Sequence, residues 1–331
     1  MKKYKVGIVG AGGVTDLHFV GYKDHPERVE VVAICDPNPE ALFARAEKYG
    51  VPQRYTNLDD FIQSSGIDVA VVCTPSPIRK QILFPLVEAG LPVFVEKPFS
   101  DSLAEAAEIT EKAKQHGVPV SVNQNFRRHF PFELIKDIIA KDTIGKVTSI
   151  LFTNIHFRQD AGWRLECERH ALSVMGIHWF DGFRLILGSD AKSIVCQNRS
   201  SSAIDCIGET DATVQVVFEN NTVATYVQSF SSTFGKTEMI VIGDTGTLVT
   251  GHGKVDLYRK DDKAPSQSWE NNVSREVATY EGLEQLLVSL ETGVEAPNSS
   301  QDNLKTITML DSAYVSAKEQ RIVQLKHGIG V

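Results

Sequence analysis

The chain has 331 residues, of which 42% are hydrophobic and 23% charged, with a formal net charge of −8. That is enough chain for two domains of ordinary globular composition. An acidic chain without a basic cluster is a poor partner for nucleic acid or an anionic membrane surface, and no apolar stretch approaches the ~18 residues needed to span a bilayer. Its five cysteines (35, 73, 167, 196, 206) form no CxxC pair, which points to reduced thiols and a cytoplasmic location.

The opening, Met1-Lys2-Lys3-Tyr4-Lys5, looks like the start of a signal sequence, but the apolar run after it is short, broken by glycine and needed as a strand. Strands are expected at 6–9 and 29–35. Between them lies Gly10-Ala11-Gly12-Gly13-Val14, and Asp36 follows the second. Strand, glycine turn, helix, strand and acid in this order define a dinucleotide-binding βαβ unit. Gly10 permits the tight turn, Gly12 lets a pyrophosphate approach the backbone, and the helix after Gly13 and Val14 turns its free N–H groups toward phosphate. Asp36, about two dozen residues beyond Gly12, is placed to accept from the adenosine ribose hydroxyls. Thr15 stands where the third glycine of the fingerprint is usual.

Helix and strand signals then alternate: helices at 39–49, 58–64, 79–89 and 103–116, strands at 68–73, 92–96 and 118–122. This pattern builds a parallel sheet covered on both faces. The rhythm changes after residue 123. A helix at 132–140 precedes strands at 147–157, 191–199, 212–218, 222–229, 236–242 and 247–250, most of them alternating. Helices at 172–187, 280–291 and 304–319 complete the second part, and 261–268 reads as an exposed loop. The expected division is 1–123 and 124–331. Cys167, His170 and His178 have no familiar zinc spacing, so no metal site is expected.

Three further segments carry chemistry. Thr74-Pro75 ends one strand and Glu96-Lys97-Pro98 ends the next, where ligands of open α/β sheets gather. Gly176-Ile177-His178-Trp179-Phe180-Asp181 lies on the central helix of the second part. With the glycine turn, Ile144-Gly145-Lys146-Val147 and the terminal Ser312–Arg321 segment, these occur in the order of the Gfo/Idh/MocA oxidoreductases, which the sequence resembles over nearly its whole length. The resemblance implies an α/β Rossmann domain plus an α+β domain with a large open, mostly antiparallel sheet used for homodimer or homotetramer contacts. It implies redox turnover of a sugar, inositol or related polyol with NAD or NADP.

In that family the lysine matching Lys97 sits between nicotinamide and substrate. The residues agree: a lysine before a proline at a strand end is held extended, and partial burial suits it to proton transfer. His178 is the expected second catalytic group. Gly10, Gly12, Gly13, Val14, Asp36, Thr74, Pro75, Glu96 and Lys97 are the expected cofactor residues. Asn125, Arg127, His156, Arg158, Trp163, Arg164 and Asp181 are the substrate candidates; the arginines suit a carboxylate or phosphate, Trp163 the face of a sugar, and Asp181 either the imidazole, the substrate or Arg184.

The chain departs from the family in two places. Val174 stands where many members carry an aspartate one turn before the histidine, and Arg79 where a histidine follows the Thr-Pro motif. Either Glu168, His170 or Asp181 substitutes, or Lys97 serves with His178 alone, or the reaction is not ordinary polyol oxidation. An NAD-dependent glycosidase acting by transient oxidation and a nucleotide-binding protein without catalysis are the alternatives. Asp36 is followed by Pro37 and Asn38, with no arginine to receive a 2′-phosphate, so NAD is expected over NADP. A cis Lys97–Pro98 bond is also expected.

Overall fold

The structure, a computed structural model, describes residues 2–251, 253–271 and 274–325. The last six residues of the expected second domain, 326–331, lie outside them. The chain forms two units, one comprising residues up to Asn125 together with Ser274–Leu304, the other Phe126–Val273 with the chain from Lys305 onward. A single cut after residue 123 therefore misses the return of one segment to the first unit.

The first unit begins β1 (Tyr4–Val9), α1 (Thr15–Lys23), β2 (Val29–Cys35), α2 (Pro39–Tyr49), β3 (Gln53–Tyr55), α3 (Leu58–Ser64) and β4 (Val69–Val72). It continues α4 (Arg79–Glu88), β5 (Val93–Glu96), α5 (Leu103–His116) and β6 (Val120–Asn123). Six parallel strands run in the order β3-β2-β1-β4-β5-β6, with the switch point between β1 and β4 that opens a crevice at the carboxyl ends. β4, β5 and β6 are buried at every residue, the mark of strands covered on both faces. β3 escaped the sequence reading because Gln53-Arg54-Tyr55 has no apolar pattern.

The second unit contains α6 (Phe132–Ala140), β7 (Val147–Phe157), α7 (Ile177–Leu187) and β8 (Ala191–Arg199). Then come β9 (Asp211–Phe218), β10 (Val223–Ser229), β11 (Ser231–Gly243), β12 (Thr247–Gly251), β13 (Lys254–Tyr258) and β14 (Gln267–Glu270). With β15 (Val323–Gln324) they form a nine-stranded sheet, β14-β13-β12-β11-β7-β10-β9-β8-β15, antiparallel except where β7 and β10 pair. β14 occupies part of the segment expected as a loop. Phe152 on β7 packs against Trp179 and Phe183 of α7 and Tyr226 of β10. The other face of β7 leaves Leu151 45% and Phe157 54% exposed.

Two helices follow, α8 (Arg275–Thr292) and α9 (Ser300–Glu319). α8 belongs to the first unit and lies so close to α1 that a Cβ on Gly21 would come 2.4 Å from Glu276 O. It is fastened by Arg28, 1% exposed, whose guanidinium donates to Glu284 (3.0 Å), Glu291 (2.5 and 3.1 Å) and Lys2 O (2.8 Å).

Candidate functional site

The glycine turn is built as expected. Gly10 has φ +104°, and a Cβ there would meet the Cys73 backbone at 3.0 Å, so any other residue is strained. A Cβ on Gly12 or Gly13 would meet nothing within 4 Å, which leaves open space over the N-terminus of α1, where Val14 holds the cap position without a side-chain bond. The third-glycine position is filled by buried Thr15, whose hydroxyl donates to Gly12 O at 2.5 Å. Asp36 grips the turn: Oδ2 accepts from Ala11 N at 2.7 Å and Oδ1 from Asn38 N at 2.8 Å. A carboxylate has about four acceptor positions, so two bonds leave room for ribose hydroxyls.

The strand ends on the other side of the switch point are fixed from below. Arg79, 4% exposed, donates through Nε (3.1 Å) and Nη2 (2.9 Å) to Thr74 O and through Nη1 to Glu96 O. The arginine in the histidine's place thus ties the Thr74-Pro75 and Glu96-Lys97 strand ends together. Buried Glu96 was expected to meet the cofactor. Its Oε1 lies 2.8 Å from His18 Nε2 and accepts from Asn123 Nδ2 at 2.7 Å. Lys97 is half-buried and its bond to Pro98 is cis.

Thr74 Oγ1, Asn123 Oδ1 and both side-chain amide atoms of Gln124 are buried and have no hydrogen-bond partner among the described residues. Such groups cost ~1–3 kcal/mol each unless something satisfies them. They stand at the carboxyl ends of β4 and β6, flanking β5, which Lys97 directly follows. An open glycine cradle, a ribose-type carboxylate and unsatisfied polar atoms at these strand ends fit a dinucleotide. Asn125 closes the segment, buried, with Nδ2 3.5 Å from Thr279 Oγ1.

In the second unit His178 is 3% exposed and stacks on Phe126, centroids 4.1 Å apart. The expected single helix over 172–187 is interrupted: Leu172–Gly176 winds as a π-turn, and Ile177 N donates to Leu172 O. Val174 lies within this wider turn and His178 in the α-helix that continues from it. Phe126 also borders an aromatic cavity of about 270 Å³ with Phe130, Phe132, Phe152 and Trp179. None of the predicted substrate residues lines it.

The charged substrate candidates are mostly committed to one another. Arg127 makes two 2.6 Å bonds to Asp181, which also accepts from Thr306 at 2.9 Å, while Arg184 stands 3.8 Å away. The Arg127 fork and the Thr306 hydroxyl thus take up much of the hydrogen-bonding capacity of Asp181. Arg158 donates to Asp160 at 3.0 and 2.8 Å, and the same carboxylate lies 3.0 Å from His170 Nε2. Burial opposes ionisation of Asp160, but the His170 and Arg158 bonds outweigh it and hold its carboxyl well below the usual range. His156 is pushed down by burial and by Arg158. Arg164 lies over the ring of Trp163, which is 37% exposed; these two remain open to a ligand.

Sequence reasoning passed over His18, Asn123, Asp160 and Glu209. Only His18 left a trace, its four-residue spacing to Tyr22 on the helix after the glycine turn.

The comparisons agree with this geometry. Residues 4–124 match the oxidoreductase family with NAD-binding Rossmann fold, Gfo/Idh/MocA, and residues 132–249 match the Gfo/Idh/MocA C-terminal domain. The chain belongs to this family of NAD-binding oxidoreductases. It is 24% identical to D-apiose dehydrogenase of Paraburkholderia graminis, over 98% of this chain and 91% of that one. It is 24% identical to myo-inositol 2-dehydrogenase of Thermotoga maritima, over 98% and 100%. Levoglucosan dehydrogenase, solved with NADH and L-sorbose, superposes with a TM-score of 0.90 at 17% identity over 98% and 100% of the two chains.

Proposed function

We propose that the chain is an NAD-preferring dehydrogenase or reductase acting at a CH–OH carbon of a sugar or polyol. The observation that carries this is half-buried Lys97 just after β5, between strand ends whose buried polar atoms lack partners among the described residues. Gly10, Gly12 and Gly13 would hold the pyrophosphate, Asp36 the adenosine ribose, and Thr74, Asn123 and Gln124 the nicotinamide half. Bound NAD supplies the hydride acceptor at nicotinamide C4.

Lys97 takes the proton of the substrate hydroxyl in oxidation and returns it to the carbonyl oxygen in reduction. His178 hydrogen-bonds the substrate and carries less of the proton transfer. Trp163 and Arg164 are the substrate contacts that the observed pairings leave available. The names of the relatives support the substrate class. No observation favours glycosidase action or binding without turnover. The exposed face of the nine-stranded sheet, with Leu151 and Phe157, supports pairing with a second copy. Five free cysteines support a cytoplasmic location.

The test is a turnover screen of pentoses, hexoses, inositols and sugar acids with NAD, read as NADH absorbance. NADH formation on a polyol supports the reading; NADH binding without turnover on any member contradicts it.

A further inference from the structure

The residue immediately before Lys97 is a buried carboxylate, 7% exposed, and an anion next to an amine stabilises its ammonium form. Lys97 is among the groups that favour ionisation of Glu96, and electrostatic coupling is reciprocal. Left alone, Glu96 would hold Lys97 as the ammonium, which can give a proton but not take one. Something has to oppose that charge if the lysine is to work in both directions.

His18 is placed to do so. It is fully buried on α1, with Nε2 2.8 Å from Glu96 Oε1 and Nδ1 2.8 Å from Tyr22 Oη. Phe94 lies edge-on to the imidazole, with ring centroids 6.0 Å apart. The groups around the pair are Tyr22 from α1, Cys73 after β4, Lys97 after β5 and Asn123 from β6; Tyr280 of α8 lies edge-on to Tyr22 at 6.5 Å. Burial, the largest single influence on His18, favours the neutral ring, but Cys73, Tyr22 and the Glu96 bond outweigh it, and the imidazole is raised above its ordinary value. Burial likewise opposes ionised Glu96, and the bonds from His18 and Asn123 with the charges of His18 and Lys97 outweigh it. The two groups sustain each other's charge.

We propose that His18 is a positioning residue for Lys97: its imidazolium anchors and neutralises the Glu96 carboxylate, so that this carboxylate neither shifts the strand end nor locks the lysine as ammonium. This rests on the reading of Lys97 as the proton-transfer group. It also links the helix that begins at the glycine turn to the residue that does the chemistry, through one buried pair.

The test needs no substrate. The full chain is labelled with trinitrobenzenesulfonate between pH 6 and 11, and modification of Lys97 is followed by peptide mass spectrometry, which gives the midpoint of the free amine. His18→Gln removes the imidazolium and leaves Glu96 ionised in the range where an amine titrates. The midpoint is expected to rise, with labelling at pH 8 roughly tenfold slower than in the wild type. Glu96→Gln removes the carboxylate itself, so the midpoint is expected not to rise above that of the wild type. His18→Asn reports the same rise if His18→Gln does not fold. An unchanged midpoint in the His18 variants overturns the inference, as does a rise of the same size in Glu96→Gln. A Lys97→Ala enzyme that keeps its turnover overturns the role of the lysine instead, whatever these midpoints are.

Discussion

The strand ends of the first unit and the helix-bearing face of the second treat polar residues in opposite ways. In the first, Thr74, Asn123 and Gln124 keep buried atoms without partners among the described residues, over a glycine turn with open space above it. In the second, Arg127 is matched to Asp181, Arg158 and His170 to Asp160, and Arg184 to Asp190 at 3.1 Å. A fold tolerates unsatisfied buried polar atoms where a ligand will complete them, and charges that neutralise one another where they hold the fold. The first region is thus prepared for a ligand, and much of the second is braced. Mutations there should separate into those that change binding and those that change stability.

The largest effect is expected at Asp181, 1% exposed. Asp181→Ala leaves Arg127 without its carboxylate and should cost ~3–4 kcal/mol, the scale of a broken buried pair. Urea denaturation checks this; full stability with a raised KM would return Asp181 to the substrate. Next is Glu209, which accepts from His170 N (2.9 Å), Leu172 N (2.8 Å) and Tyr314 Oη (2.7 Å) and so caps the π-turn before α7. Burial raises its carboxyl in spite of these bonds. Glu209→Ala strands the buried donors and should cost ~2–3 kcal/mol, and Glu209→Gln less, since an amide oxygen can still accept.

The first unit should respond in the other sense. Gly12→Ala meets no atom, so the melting temperature should hold or rise slightly, while NADH affinity, read by fluorescence titration, falls about tenfold, ~1.4 kcal/mol. Equal affinity would mean that no pyrophosphate crosses this glycine.

The smallest effect concerns pH. Glu96 is held down to about 2, so its contribution is present above the ordinary value near ~4.3 and is lost as the pH falls toward about 2. His18 is raised, so its contribution is present below ~6.5 and is lost as the pH climbs through the higher folded value. The melting temperature of the wild type should therefore exceed that of Glu96→Gln most between pH ~4.3 and ~6.5. A difference independent of pH would contradict a charged pair.

What the sequence disclosed follows the same division. The glycine turn, Asp36 and the cis Lys97–Pro98 bond are local backbone features, legible because glycine, a strand-end acid and proline have few conformational uses. β3 and β15 were missed because Gln53–Tyr55 and Val323–Gln324 are too short for periodicity to register, whereas β13 alternates and was overlooked beside β14, whose first residues read as loop. α8 starts before the expected 280 because Ser274 caps it, accepting from Val277 N at 3.3 Å, ahead of any apolar pattern. The π-turn at Leu172–Gly176 has no composition of its own. The pairing of Arg127 with Asp181, or of His18 with Glu96, joins residues far apart in the chain. Types alone marked the first as substrate groups, and only the fold shows that they satisfy each other.

The central claim is that Lys97 performs the proton transfer in a region otherwise built to hold the dinucleotide. Its most direct test is a single-turnover measurement of NADH formation by Lys97→Ala, on the best polyol from the screen, with both ligands saturating. The account predicts a rate at least ~10²-fold below that of the wild type, the scale of a lost acid–base group, with NADH still bound. A rate within a few-fold of the wild type would contradict it.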